Sequence, residues 1–124
     1  MKRILIIDDE DDVREVARMS LETSGEWEVL TAASGPEGLS KACAEQPDVV
    51  LLDVMMPGMD GPTAFRHLRG DPRTGHIPVI FFTAKTQAAD RRHFNNLGAA
   101  VIAKPFDPLT LASEVGGALE GGTR

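Results

Sequence analysis

The chain has 124 residues, of which 42% are hydrophobic and 26% are charged, as expected for one globular domain with its own core. Its 13 basic and 19 acidic residues give a formal net charge of -6, and the sequence has no cluster of Lys or Arg that could bind a row of phosphates. The apolar run of residues 4–7 ends at Asp8 and is too short for a signal peptide or a membrane span. We therefore expect a cytoplasmic protein that binds neither nucleic acid nor membranes directly.

The first half of the chain carries three predicted strands and two predicted helices. Residues 4–7 and 49–52 are apolar runs without polar alternation, as in strands covered on both faces, and the weaker strand 28–32 is expected at a sheet edge. Ser34 and Glu37 fit a capping box at the start of the second helix. The first helix is predicted from an apolar stripe at helical spacing, formed by Val13, Val16, Ala17 and Leu21.

The second half continues the same alternation of strands and helices. Residues 79–82 and 100–103 are two more buried strands, with a helix over residues 88–97 between them. The pairs Gly61-Pro62 and Asp107-Pro108 each place proline at a first helical position after a plausible cap. The last helix is expected to face the core through Leu109, Ala112, Val115 and Leu119.

This order predicts an α/β protein in which a strand–helix unit occurs five times. Short connections between parallel strands imply right-handed crossovers and a doubly wound sheet with helices on both faces. We assign residues 1–121 to a single domain and residues 122–124 to a short tail, because the glycines near the C-terminus weaken the last helix.

The single cysteine, Cys43, cannot form an internal disulfide, which fits a reducing compartment. It shares an apolar helical face with Leu39 and Ala42. This position predicts a buried structural thiol rather than a reactive one.

Chemically active side chains follow the ends of four predicted strands: Asp8 and Asp9, Asp53, Thr83 and Lys104. The carboxyl ends of parallel strands lie at one edge of a sheet, where sites form in α/β proteins. Each residue alone could have a structural role, such as capping a turn. Their joint occurrence favours a pocket with three carboxylates, one hydroxyl and one ammonium group.

Three neighbouring carboxylates repel one another and remain ionised most easily around a divalent cation. Mg²⁺ suits such a site because it binds a few carboxylates, keeps several waters and also coordinates phosphate. Phosphoryl transfer needs positioning and neutralisation of charge, and an aspartate can be the acceptor. The residue set is therefore sufficient for forming an aspartyl phosphate.

Four segments resemble the two-component response-regulator receiver family of the CheY-like superfamily: Asp8-Asp9, residues 52–61 (LDVMMPGMDG), Thr83-Ala84 and Lys104-Pro105-Phe106. The resemblance covers essentially the whole chain, and it suggests a stand-alone receiver, with a receiver that is part of a larger protein as the alternative. It implies a flavodoxin-like (βα)5 fold with a five-stranded parallel sheet. The strand order 2-1-3-4-5 is taken from this resemblance, since a chemotaxis member of the family is itself a standard example of that order.

The resemblance implies that Asp53 accepts a phosphoryl group from a histidine kinase or phosphotransfer protein. It further implies that Mg²⁺ is ligated by Asp9, Asp53 and the backbone carbonyl of Met55, with Asp8 sharing in ligation or acting through the metal's outer coordination shell. Thr83 would donate its hydroxyl to a phosphoryl oxygen.

The resemblance also assigns a role to the segment after the fifth strand. Lys104 would form a charge-assisted hydrogen bond to the phosphoryl group and hold Asp53 before transfer. The Lys104-Pro105 peptide bond would be cis and would aim the lysine inward.

Some positions depart from the family pattern or are expected to tune it. Receivers usually have Tyr or Phe three positions before the lysine, where this chain has Val101. We hypothesise that Thr83 still shifts on phosphorylation and that loop and helix displacement carries the signal. Met55, Ala84 and Lys85 are further tuning positions, and methionine at position 55 predicts slow to intermediate hydrolysis of the aspartyl phosphate.

Three classes of function compete at this point. The leading hypothesis is a signalling switch, not an enzyme with a separate substrate, which catalyses only its own phosphorylation and dephosphorylation. The alternative is a degenerate receiver that binds proteins independently of phosphorylation, an idea suggested by Val101, although the intact set of pocket residues argues against it. A small α/β enzyme is disfavoured, because the chain lacks a second acid positioned for turnover and a P-loop.

Output through a downstream protein is expected at the helix of residues 88–97, the strand after it and the last helix. The helix of residues 88–97 carries Arg91, Arg92 and His93. A solvated charged face with no partner is the alternative for this surface.

Overall fold

The computed structural model describes residues 1–84, 88–97 and 99–122. Strands and helices alternate along the chain, as the sequence predicts. In order they are β1 (Lys2–Ile7), α1 (Asp11–Thr23), β2 (Trp27–Ala32), α2 (Gly35–Glu45), β3 (Val49–Asp53), α3 (Gly61–Gly70), β4 (Val79–Thr83), α4 (Ala88–Asn96), β5 (Ala100–Ala103) and α5 (Leu111–Gly122).

The strands form one five-stranded sheet in the order β2-β1-β3-β4-β5, which confirms the predicted fold. All neighbouring strands in it are parallel. The weaker strand β2 lies at an edge, also as predicted, and its middle residues are only half-buried. The carboxyl ends of β1, β3, β4 and β5 therefore lie side by side.

The core consists of two apolar layers, one on each face of the sheet, because alternate strand residues point to opposite faces. Leu52 and Phe81 face a layer that includes buried residues of α2, α3 and α4. Leu51 and Phe82 face the other layer, with buried residues of α1 and α5. Burial on both faces explains why these strands carry no polar alternation.

Two helix starts use side-chain caps close to those predicted. The Ser34 hydroxyl accepts the Glu37 N–H at 3.3 Å, while the Glu37 carboxylate accepts the N–H of Ala33 at 2.7 Å. This confirms the capping box, except that the Glu37 carboxylate accepts the N–H of Ala33 and not that of the cap residue Ser34. At α3 the cap is Asp60, one residue before the predicted pair, and its carboxylate accepts the Thr63 N–H at 2.9 Å.

The predicted start of the last helix is wrong by three residues. The Asp107 carboxylate accepts the N–H of Leu109 at 2.9 Å, and its carbonyl accepts the N–H of Thr110 at 3.0 Å. These bonds form a turn over residues 108–110, so α5 begins only at Leu111. Leu109 is consequently 92% exposed instead of facing the core, while Leu111 is fully buried.

Two further expectations need correction. Val16 is 43% exposed, because the core-facing side of α1 is narrower than the predicted stripe. Cys43 is half-buried rather than buried, and its Sγ lies 3.7 Å from Oδ2 of Asp71 at the α2–α3 boundary.

The end of α5 at Gly122 leaves residues 123–124 outside the described part of the chain, so the domain boundary stays a prediction.

Candidate functional site

The register of the sheet aligns the strand ends that carry the predicted site residues. Ile7 of β1 pairs with Leu52 of β3, so the residues that follow them, Asp8 and Asp53, are neighbours. Asp53 in turn pairs with Phe82 of β4, directly before Thr83. Parallel pairing thus places these side chains at one edge of the sheet.

Lys104 connects the carboxylates of two different strands. Its Nζ lies 2.7 Å from Oδ2 of Asp8 and 3.1 Å from Oδ1 of Asp53, and Oε1 of Glu10 is 3.7 Å away. The lysine side chain is only 14% exposed and its ammonium lies 5.0 Å from the ring centre of Phe82. Burial by itself lowers the pKa of Lys104, but the bonds to Asp8 and Asp53 outweigh it and raise the pKa above the ordinary value.

Asp53 is a buried acid with a shifted titration. Only 4% of the residue is exposed, and this burial is the largest cause that raises its pKa to about 6. Repulsion from the Asp8 carboxylate raises the pKa further, while Lys104 lowers it. The carboxyl group is therefore mostly ionised at neutral pH, but at an energetic cost that a further cation would relieve.

Asp8 is fully buried and its orientation is defined by several bonds. Its N–H donates to the carbonyl of Ala32 at 3.1 Å, and its Oδ1 accepts the N–H of Glu10 at 2.9 Å. Its carbonyl oxygen accepts a bond from Nη1 of Arg14 at 2.8 Å. The loop between β1 and α1 is thus held from β2 and from α1.

Asp8, Asp9 and Asp53 form an acidic cluster. One carboxylate oxygen from each lies within 4.8 Å of the others, and Asp9 is the most exposed of the three. Such a set of oxygen ligands fits a small divalent cation like Mg²⁺, which is held by few carboxylates and by water. The structure therefore brings together the carboxylates that the sequence predicted for a metal site.

Thr83 and its neighbours line the adjacent part of the edge. Thr83 is 2% exposed, and its carbonyl accepts the N–H of Lys104 at 2.9 Å, which ties the ends of β4 and β5 together. Ala84 is exposed beside it, and the predicted tuning residue Lys85 lies outside the described residues. Val101 is half-buried and packs against the apolar layer that contains Phe81.

Two predicted features closely follow Asp53 and Lys104 along the chain. Met55 follows β3 at the surface, where 65% of the residue is exposed. The Lys104-Pro105 peptide bond is cis, as the resemblance implies. Phe106, the next residue, packs against Phe82 with a ring separation of 5.3 Å.

Sequence reasoning did not identify Gly61 and Arg14 as parts of the site. A Cβ at Gly61 would lie 2.3 Å from the carbonyl oxygen of Asp53, and the Gly61 N–H donates to the carbonyl of Val54 at 2.8 Å. Only glycine allows this close approach of α3 to the strand end. A glycine eight residues after Asp53 is visible in the sequence, but the contact of Arg14 with the Asp8 carbonyl has no local signal.

The comparisons with known proteins agree with this geometry. The family model described as "Response regulator receiver domain" matches residues 4–116, which is most of the chain. The chain belongs to the response regulator receiver domain family. It is therefore a receiver domain of two-component signalling, with the fold that this family shares.

The relatives differ in how much of their own length the match to this chain covers. Protein PilH of Pseudomonas aeruginosa is 40% identical over 122 residues, which cover 98% of this receiver and 100% of PilH. Response regulator PleD of Caulobacter vibrioides is 45% identical over 116 residues, covering 91% of this receiver but 25% of PleD. This receiver also spans less than half the length of other curated relatives.

Among solved structures, the chemotaxis response regulator CheY4 of Vibrio cholerae superposes on the receiver with a TM-score of 0.87. It is 31% identical, and the match covers 95% of this chain and 98% of that one. Within the described ranges, none of the helices combines the length and apolar character that a membrane crossing requires.

Proposed function

We propose that this receiver is a phosphorylation switch in which Asp53 accepts a phosphoryl group from a histidine kinase or phosphotransfer protein. The observation that carries the proposal is the buried Asp53 carboxylate, 3.1 Å from the ammonium of Lys104 and next to two more carboxylates. This combination supplies a nucleophile, a cation and a set of metal ligands at one point.

The transfer itself uses the carboxylate of Asp53 as the nucleophile. One of its oxygens attacks the phosphorus of a phosphohistidine; the new P–O bond forms as the P–N bond breaks, and the imidazole leaves with the electron pair. No general base is needed, because the carboxyl group, with a pKa of about 6, is already mostly ionised at neutral pH.

The surrounding side chains stabilise the charge of the phosphoryl group. Lys104 is positioned to form a charge-assisted hydrogen bond to a phosphoryl oxygen while it keeps its contact with Asp8. The hydroxyl of Thr83 is the proposed donor to another phosphoryl oxygen. Asp8, Asp9, Asp53 and the carbonyl of Met55 would hold Mg²⁺, which when bound neutralises negative charge on the transferred group.

This receiver would act as a signalling protein whose only chemistry is its own phosphorylation and dephosphorylation. It would work in the cytoplasm, a location that the single cysteine Cys43 fits because reducing compartments keep thiols free. A downstream protein would read the phosphorylated state at α4, β5 and α5. The exposed Arg92 and His93 of α4 lie on that surface, while the side chain of Arg91 is outside the described part.

Intact-mass spectrometry after incubation with acetyl phosphate tests the proposal. The native chain should gain one phosphoryl group only in the presence of Mg²⁺, and Asp53→Asn should gain none. Asp60→Asn is the matched control, because Asp60 is an exposed helix cap and asparagine also caps helices well. It should be phosphorylated like the native chain.

The alternative function is a binding module that does not depend on phosphorylation. The observation that favours it is the half-buried Val101 at the position where receivers usually carry an aromatic switch residue. Absence of any mass gain with and without Mg²⁺, from a correctly folded native chain, would replace the switch by this module.

A further inference from the structure

Arg14 reaches from the first turns of α1 back to the strand end that carries the acidic cluster. Its Nη1 donates to the carbonyl oxygen of Asp8 at 2.8 Å, and its Nη2 lies 2.5 Å from Oδ1 of Asp11. The planar guanidinium can contact both groups at once because its donors form a rigid fork. The Arg14 side chain is only 18% exposed and Asp8 is buried, so the bond to the Asp8 carbonyl is partly shielded from water, whereas Asp11 is 87% exposed and its ion pair is open to solvent.

The bond to Asp8 acts on the peptide group that joins two members of the acidic cluster. The N–H of Asp8 is held by the carbonyl of Ala32 at 3.1 Å, which defines where β1 ends. The carbonyl of Asp8 belongs to the next peptide group, which connects Asp8 to Asp9. The bond from Arg14 therefore restrains the peptide group that lies between the two carboxylates.

The start of α1 has no side-chain cap, and the other bonds that hold this loop come from Ala32, from Lys104 and from the Asp8 side chain. Glu10 occupies the N-cap position without a side-chain capping bond, and the Glu10 N–H instead donates to Oδ1 of Asp8 at 2.9 Å. The loop between β1 and α1 thus depends on hydrogen bonds to Asp8. Among these bonds, Arg14 supplies the one from a side chain of α1.

We propose that Arg14 is a positioning residue for the divalent cation: it holds the Asp8–Asp9 peptide group so that both carboxylates face the same ion. This inference rests on the proposed function, because it assumes that the acidic cluster binds Mg²⁺. Arg14 itself contributes no ligand to the ion.

Positioning and simple electrostatics predict opposite effects when Arg14 is replaced. A positive charge near the cluster repels a cation, so removing the charge alone would strengthen Mg²⁺ binding. Loss of positioning weakens binding, and removing a group that orients metal ligands typically costs about tenfold in affinity. The direction of the change therefore separates the two explanations.

The test is the Mg²⁺ dissociation constant, measured by isothermal titration calorimetry on the unphosphorylated full chain. Arg14→Gln should weaken Mg²⁺ binding about tenfold. Arg14→Lys keeps the charge and the helix propensity but loses the planar guanidinium that contacts two groups at once, and it should also weaken Mg²⁺ binding. Arg18→Gln is the matched control, since Arg18 lies on the same helix and pairs with Glu15 and Glu22 instead of the loop; its affinity should stay within twofold of native.

Amide NMR spectra of the metal-free proteins give a second readout. Both Arg14 variants should shift the Asp9 and Glu10 signals, and Arg18→Gln should leave them unchanged. Native or tighter Mg²⁺ affinity in both Arg14 variants would overturn the positioning role while leaving the proposed switch intact. A native chain that binds no Mg²⁺ would instead remove the metal from the proposed function, and this inference with it.

Discussion

Asp53 should destabilise the metal-free protein at neutral pH, and replacing it with asparagine should therefore increase stability. Burial, and then repulsion from Asp8, raise its pKa from 3.8 to about 6 despite the nearby Lys104. The folded state consequently binds the proton more tightly than the unfolded state. Between these two pH values the folded chain carries more protons, so its stability falls as the pH rises.

The size of this effect follows from the shift. About two pKa units correspond to ~3 kcal/mol at pH values above the folded pKa, at 1.36 kcal/mol per unit. Asparagine has nearly the shape of the protonated acid and carries no charge. We expect Asp53→Asn to raise the free energy of unfolding by about 1–3 kcal/mol at pH 7.5 without divalent cations, and by progressively less as the pH falls toward 4.

Urea denaturation in the presence of a chelator measures this difference. The single tryptophan, Trp27, is 4% exposed in the folded chain, so its fluorescence should report unfolding. The urea concentration at the midpoint of unfolding should be higher for Asp53→Asn than for the native chain. The dependence of the free energy of unfolding on urea concentration should be the same for both, since the surface exposed on unfolding is the same. Added Mg²⁺ should then stabilise the native chain more than the variant, because binding to the folded state alone increases its stability.

Asp60→Asn serves as the control for this experiment. Its hydrogen bonds with Thr63 lower the pKa of the exposed Asp60 carboxyl group, so its charge favours folding, and the substitution should cause no gain in stability. An Asp53→Asn chain that is equally or less stable than the native chain at pH 7.5, or a difference that does not change with pH, would refute the reasoning.

Gly61, Met55 and Thr83 each carry a separate expectation. Gly61→Ala should lower the free energy of unfolding by about 1–3 kcal/mol, because the new Cβ would lie 2.3 Å from the Asp53 carbonyl oxygen. Gly70→Ala, with no heavy atom within 4 Å of the new Cβ, should be neutral or stabilising in the same urea assay, and equal losses would disprove the close approach. Met55→Asn should shorten the lifetime of the aspartyl phosphate on the order of a few-fold, since asparagine can orient a water molecule and methionine cannot. Equal rates of phosphate loss from the native chain and the variant, followed by intact-mass spectrometry, would contradict this. Phosphorylation should shift the amide NMR signals of Thr83 and α4 in the native chain but not in Asp53→Asn, and an unchanged spectrum would rule out signal transmission through this segment.

The strands were predictable because burial on both faces leaves a strong local pattern. Residues 49–52 and 79–82 are apolar throughout, and the structure extends each by a single polar site residue, Asp53 and Thr83. β1 begins two residues earlier than predicted. The reason is that its polar end at Lys2 still pairs with β2 at Trp27, a contact that hydrophobicity alone does not indicate.

The helix starts show where local signals become ambiguous. Gly61-Pro62 and Asp107-Pro108 look equivalent in sequence, yet α3 begins at the first pair while the second forms a turn. The difference depends on which leucine packs against the core. Leu111 is buried in the layer shared with α1, and Leu109 is left in solvent.

By itself, the sequence determined the order of strands and helices and the chemical types at the strand ends, because both follow from local burial and capping. Only the tertiary structure decided which of these groups touch. Lys104 contacts Asp8 and Asp53 across 96 and 51 positions of the chain, and these contacts depend on the register of three strands. Register is set by packing of the whole sheet, so distances within the site, the shifted pKa of Asp53 and the reach of Arg14 to Asp8 exist only in the folded molecule.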